Sequence, residues 1–127
     1  MCSRGSDEFL FVDELPGDVF GDAWTVPIPA GISIKMELLA AVAGALKFPG
    51  YFGWNWDAFD ECLRDLSWIE TPRQIVLVHN DIPLPAASED RAIYLEILRD
   101  AVQSWGPGQP HELIVVFPTR CRPELTQ

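Results

Sequence analysis

The segment Phe48-Pro49-Gly50-Tyr51-Phe52-Gly53-Trp54-Asn55-Trp56-Asp57-Ala58-Phe59-Asp60-Glu61-Cys62-Leu63-Arg64-Asp65-Leu66-Ser67-Trp68 holds a helix stop, an aromatic loop and an amphipathic helix in direct succession. Phe48-Pro49-Gly50 ends any helix before it, because proline lacks the N–H that a further helical turn needs. Asn55 is placed to cap a new helix over residues 56–66. At about 100° per residue, Phe59, Cys62, Leu63 and Leu66 fall on one apolar stripe, at i, i+3, i+4 and i+7. Asp57, Asp60, Glu61 and Arg64 repeat that spacing on the opposite face. Asp57 in the first turn is favoured by the helix dipole. Asp57 with Glu61 is a like-charge i, i+4 pair, which costs about 0.2–0.5 kcal/mol. Only Arg64 stands near enough to offset them. A face selected for stability alone would alternate its signs, so this one is either a solvated acidic surface or a docking face for Lys and Arg of another protein.

The loop ahead of the helix gathers Tyr51, Phe52, Trp54 and Trp56 around Gly53, which permits a tight backbone. Aromatics beside carboxylates offer a large contact area at a low entropic cost on binding. Phe52 and Trp56 are expected to be core, and Tyr51 and Trp54 exposed.

Working outward, residues 8–13 read as a short strand followed by a Pro16-Gly17 turn. Residues 23–28 read as a second strand, with Pro27 and Pro29 putting its far end at a sheet edge. Ser33 is placed to cap a helix to about Lys47, with Leu38, Leu39, Val42 and Leu46 as its buried stripe. Residues 74–78 are an unbroken apolar run of the kind buried on both faces. Ser88 is placed to cap a third helix to about Trp105, ended by Gly106-Pro107-Gly108. Residues 112–117 form the last strand, and the tail after Pro118 reads as frayed. This order describes an α/β fold with a largely parallel sheet, in a single domain over residues 1–127. The strands at 74–78 and 112–117 are expected to run parallel, since a helix long enough for a crossover separates them.

Charge narrows the function. In 127 residues, 19 Asp plus Glu stand against 9 Lys plus Arg, for a formal charge of −10. Nucleic acid is not an expected partner, because phosphates are held by clustered Lys and Arg. An anionic membrane is disfavoured for the same reason. An acidic field of this size either keeps the protein soluble or steers a basic protein toward it. Cys2, Cys62 and Cys121 are an odd set without metal or disulfide spacing, which fits a reducing cytoplasm. Cys62 reads as core and Cys121 as a surface thiol. No segment has the form of a secretion signal, and the apolar runs are too short to span a bilayer.

His79 and His111 lack zinc-ligand spacing, and there is no phosphate loop or dinucleotide glycine pattern. No cofactor and no metal is expected. His79, at a strand end, reads as structural or solvent-facing. A hydrolase using Asp57, Asp60 or Glu61 is the weakest reading, since a convex helix face gives little burial to raise a general acid. No enzyme is expected.

The order Tyr51-Phe52-Gly53-Trp54-Asn55-Trp56-Asp57-Ala58, followed by an amphipathic helix and Trp68, resembles the loop-and-helix signature of barstar-like proteins. The order of elements from Ser33 to Phe117 is similar as well. The resemblance implies a three-stranded parallel sheet packed with helices, with residues 1–22 as an N-terminal extension. It also implies an inhibitor of a secreted ribonuclease, whose carboxylates stand in for substrate phosphates. Tyr51, Gly53, Asn55 and Asp57 match residues of the family's binding surface. Glu61 stands in place of its dominant Asp, Asp60 in place of a Trp, and Asp100 in place of a contributing Glu. Trp68 is similar to a further contact residue. Trp54 and Arg64 join this set by their place on the same loop and face. The implied partner is a basic protein, a secreted ribonuclease or nuclease toxin that a bacterial cell must neutralise in its cytoplasm. The alternative is a barstar-like interaction module whose partner is not a nuclease.

Overall fold

Two strands that are apolar on both sides form the middle of the sheet. They are β3 (Gln74–His79) and β4 (Glu112–Pro118), buried over nearly their whole length. A computed structural model describes residues 9–13, 23–50, 52–70, 73–105 and 108–125. The flanking strands are β1 (Leu10–Val12) beside β4 and β2 (Trp24–Ile28) beside β3. The order is β1-β4-β3-β2 and every pairing is parallel, with Ile75 opposite Leu113 and Leu77 opposite Val115. The parallel pairing of the two apolar runs is as expected. Pro27 is exposed on an edge strand, the place in a sheet where a residue without an N–H is tolerated.

The sheet has four strands, not three. Leu10, Phe11 and Val12 lie opposite Val116, Phe117 and Pro118, and buried Phe9 packs its ring 5.2 Å from that of Phe117. The fourth strand therefore comes from residues that the resemblance sets aside as an extension. The rest of that stretch, 1–8 and 14–22, with Cys2 and the Pro16-Gly17 turn, lies outside the described residues.

Helices α1 (Lys35–Leu46), α2 (Trp56–Asp65) and α3 (Glu89–Ser104) share one core with the sheet. The expected stripes are the ones buried: Leu38, Leu39, Val42 and Leu46 of α1, and Phe59, Cys62, Leu63 and Leu66 along and after α2. On the other side of the sheet, Val76, Val78 and Val116 make a smaller cluster. Alternate residues of β3 and β4 thus feed both clusters, which is why these strands read as continuous apolar runs.

Two local expectations are corrected. The N-cap of α1 is Ile34, not Ser33, and it makes no side-chain cap bond. The tail after Pro118 is folded: a 3-10 turn (Thr119–Cys121) leads into α4 (Arg122–Leu125), and Cys121 and Leu125 are buried. Arg99 donates to the Leu125 carbonyl at 3.2 Å and Arg91 pairs with Glu124 at 3.7 Å, which pins this tail to α3. Cys121 is therefore an interior thiol, its pKa raised mainly by burial, and not a surface one.

His79 is structural. It is fully buried, stacks on Phe117 with ring centroids 4.1 Å apart, and places Nδ1 3.1 Å from the Val116 carbonyl. That carbonyl requires Nδ1–H to donate, so Nε2 accepts from the Tyr94 hydroxyl at 2.6 Å.

Candidate partner-binding face

Asn55 builds the junction of loop and helix. Its backbone is extended and its Oδ1 accepts from the Ala58 N–H at 2.8 Å, as an N-cap should. Its Nδ2 also donates to the Gly53 carbonyl at 3.3 Å, so one side chain starts α2 and holds the loop. The left-handed backbone in this loop falls on Trp54 (φ 57) and not on Gly53. Gly53 is exposed, and a Cβ on it would meet Asn55 Nδ2 at 3.4 Å. Trp54 is 46% exposed and leans its ring on buried Phe52 at 5.0 Å. Tyr51 lies outside the described residues.

The indoles elsewhere are structural clamps. Trp56 Nε1 donates to Asp90 Oδ1 at 3.1 Å, which joins the first turns of α2 and α3. Trp105 Nε1 donates to the Leu63 carbonyl at 2.8 Å, which joins their far ends. Trp68 Nε1 donates to the Leu46 carbonyl at 2.9 Å, and its ring meets Phe48 edge-on at 5.7 Å. Trp68 and Trp56 are thus half-buried, with their N–H groups satisfied inside the protein. Lys35 adds its ammonium 5.6 Å from the Trp56 ring centre. The result is a helix tied to its neighbours at both ends. Asp90, Trp105 and Lys35 do this work unseen by sequence reasoning, because no local spacing relates residue 56 to residue 90 or residue 63 to residue 105.

Asp57 and Glu61 are exposed, and neither makes a hydrogen bond or ion pair among the described residues. Asp60 differs. Arg64 grips it with both arms of its fork, Nε to Oδ1 at 3.1 Å and Nη2 to Oδ2 at 2.9 Å. The hydrogen bond to Asp60 holds the Arg64 guanidinium above its ordinary pKa, and the charges of Asp60, Asp100 and Glu61 add to this. Asp100, exposed on α3, therefore shares one electrostatic neighbourhood with the α2 face. Glu61, Cys62, Arg64 and Asp65 border an open depression of about 400 Å3. Burial, with Asp65 and Glu61 nearby, raises the Cys62 thiol pKa, which disfavours a nucleophilic thiolate.

Chemically, this is a surface with two carboxylates that have no hydrogen-bond or ion-pair partner among the described residues, one internally neutralised carboxylate and an exposed indole. It can accept cations from a partner. Among the described residues no group of three or more His, Cys, Asp or Glu is assembled to hold a metal ion. No described helix is long and apolar enough to cross a membrane. Residues 29–118, well over half of the chain, match the family model described as Barstar (barnase inhibitor). Neither the curated proteins nor the solved structures provide a significant match.

Proposed function

This chain belongs to the barstar family, and from that premise we propose that it inhibits a basic ribonuclease by laying α2 and the preceding loop over the enzyme's active site. The observation that carries this reading is the pair Asp57 and Glu61, exposed, one turn apart and without a hydrogen bond or ion pair among the described residues. Their repulsion costs the free protein about 0.2–0.5 kcal/mol and becomes an asset only against Lys or Arg. Two carboxylates at that spacing stand in for substrate phosphates, which a ribonuclease must hold with cations. The clamps on α2 lower the ordering cost of docking. Trp54 adds support: a left-handed conformation costs a non-glycine residue about 1–2 kcal/mol, and here it is spent on an exposed indole beside the acidic face.

The formal charge of −10 speeds encounter with a basic enzyme and steers it. Inhibition works by occlusion, so the protein needs neither a cofactor nor a catalytic group. In a cell that makes such a nuclease, the inhibitor protects cytoplasmic RNA from it. The test is RNA hydrolysis by purified barnase with increasing amounts of this protein. Hydrolysis should fall to zero as a tight complex saturates. Undiminished hydrolysis at excess inhibitor would count against the proposal.

A further inference from the structure

Arg64 is the one cation on the α2 face, and it sits on the midline of that face. At about 100° per residue, seven residues bring it within about 20° of the azimuth of Asp57, between Asp57 and Asp60. Its Nε and Nη2 are committed to Asp60 at 3.1 and 2.9 Å, and Nη1 has no hydrogen-bond acceptor among the described residues. The side chain is 47% exposed, so this remaining donor edge is accessible to a docking protein.

Resting on the proposed docking of α2, we propose that Arg64 is a specificity-determining residue. It cancels the Asp60 carboxylate and offers the partner a donor where a uniformly acidic helix would offer an acceptor. The face then fits a basic protein with two cations against Asp57 and Glu61 and a carboxylate or main-chain carbonyl against Arg64. A nuclease whose binding site is cationic at all three points meets like charge at Arg64 and binds on the order of tenfold less tightly than it would without that cation. Such juxtaposition is a common way for an interface to exclude wrong partners. The bidentate grip on Asp60 matters to this role, since it holds the guanidinium in one place at little further entropic cost on binding.

Barnase serves as the probe, with association measured at low salt for the parent and for Arg64→Ala, Asp60→Ala and the double variant. Arg64→Ala frees Asp60 and should bind on the order of tenfold more tightly than the parent. Asp60→Ala leaves the guanidinium uncompensated and should bind more weakly than the parent, with the double variant between the two. A purely structural Arg64 would predict loss in Arg64→Ala and no such ordering. Arg64→Ala at or below the parent's affinity overturns the filter. Asp57→Ala and Glu61→Ala measured alongside keep the two readings apart. If both lose binding while Arg64→Ala merely equals the parent, the docking face stands and the filter falls. If neither loses binding, or no form binds, the docking face itself fails and takes the filter with it.

Discussion

Trp56 donates its indole N–H to Asp90 Oδ1 at 3.1 Å, across a sequence separation of 34 residues. The bond matters because it fixes the turn of α2 that carries Asp57. It also gives Asp90 a task beyond its favourable place in the first turn of α3. A carboxylate acceptor makes this a strong type of hydrogen bond.

Asp90→Leu should therefore destabilise the fold by about 1.5–3 kcal/mol, the range for a hydrogen bond to a charged group. Asp90→Asn retains an acceptor oxygen and should lose less. Urea unfolding of the two variants, with amide hydrogen exchange at Phe59 and Asp60, reads both effects. Exchange there should quicken in Asp90→Leu. Unchanged stability together with unchanged exchange would show that Trp105 and the core hold α2 without this bond.

Acid should weaken the protein through His79. Burial lowers its pKa from 6.5 to about 4, against smaller raising contributions from backbone hydrogen bonds at Val116 and Leu77. The neutral ring belongs to the fold: its Nε2 accepts from Tyr94, whose hydroxyl burial keeps protonated. Between pH 6.5 and 4 the unfolded chain binds a proton that the folded chain refuses. His79 stabilisation is thus complete above about pH 6.5 and fades as pH falls to about 4, by roughly 3 kcal/mol in all. Urea midpoints of the parent at pH 7 and pH 4.5, compared with those of His79→Gln, isolate this residue from the carboxylates. The variant should show the smaller drop. Equal drops would assign the acid sensitivity elsewhere.

The fourth strand can be weighed by Phe9→Ala. Phe9 is buried, its ring lies 5.2 Å from Phe117, and the Arg99 guanidinium lies 5.1 Å from its centre. Removing a buried phenyl costs about 3–5 kcal/mol, and an edge site belongs at the lower end of that range. A loss near 3 kcal/mol in thermal or urea unfolding would place β1 within the cooperative unit. A loss below about 0.5 kcal/mol, the scale of surface changes, would mean that β1 adds little.

What could be read in advance was local. Asn55, the Phe59–Leu66 stripe and the opposite acidic face are all set by spacings of three and four, and the structure keeps them together. The runs at 74–78 and 112–117 announced themselves by apolar content alone, and the strands extend each by one residue. The misses have two physical sources. Some elements are too short for periodicity to speak, as with α4, four residues long, or the cap that falls on Ile34 beside Ser33. Others are contacts distant in sequence: β1 beside β4, Trp56 on Asp90, Trp105 on Leu63. Arg64 lies between these cases. That it offsets the acidic face was plain from spacing, but that it would take Asp60 at i−4 over Glu61 at i−3 depends on side-chain geometry.

Asp57 and Glu61 carry the sharpest expectation. If both become desolvated against cations of a ribonuclease, losing either leaves a buried cation unpaired, at a cost of about 2–5 kcal/mol of binding. Stability should respond differently at the two sites. Glu61→Ala only relieves repulsion, worth about 0.2–0.5 kcal/mol, so its melting temperature should hold or rise slightly. Asp57→Ala gains the same relief but gives up a helix-dipole interaction of about 0.3–1 kcal/mol, so its melting temperature should hold or fall slightly. Added salt should slow association of the parent more than it speeds dissociation, because screening acts on the approach of the charged faces. Glu37, exposed on α1 outside this face, supplies the control as Glu37→Gln. Binding of barnase by Asp57→Ala and Glu61→Ala at the strength of that control would mean that the acidic face is merely solvated.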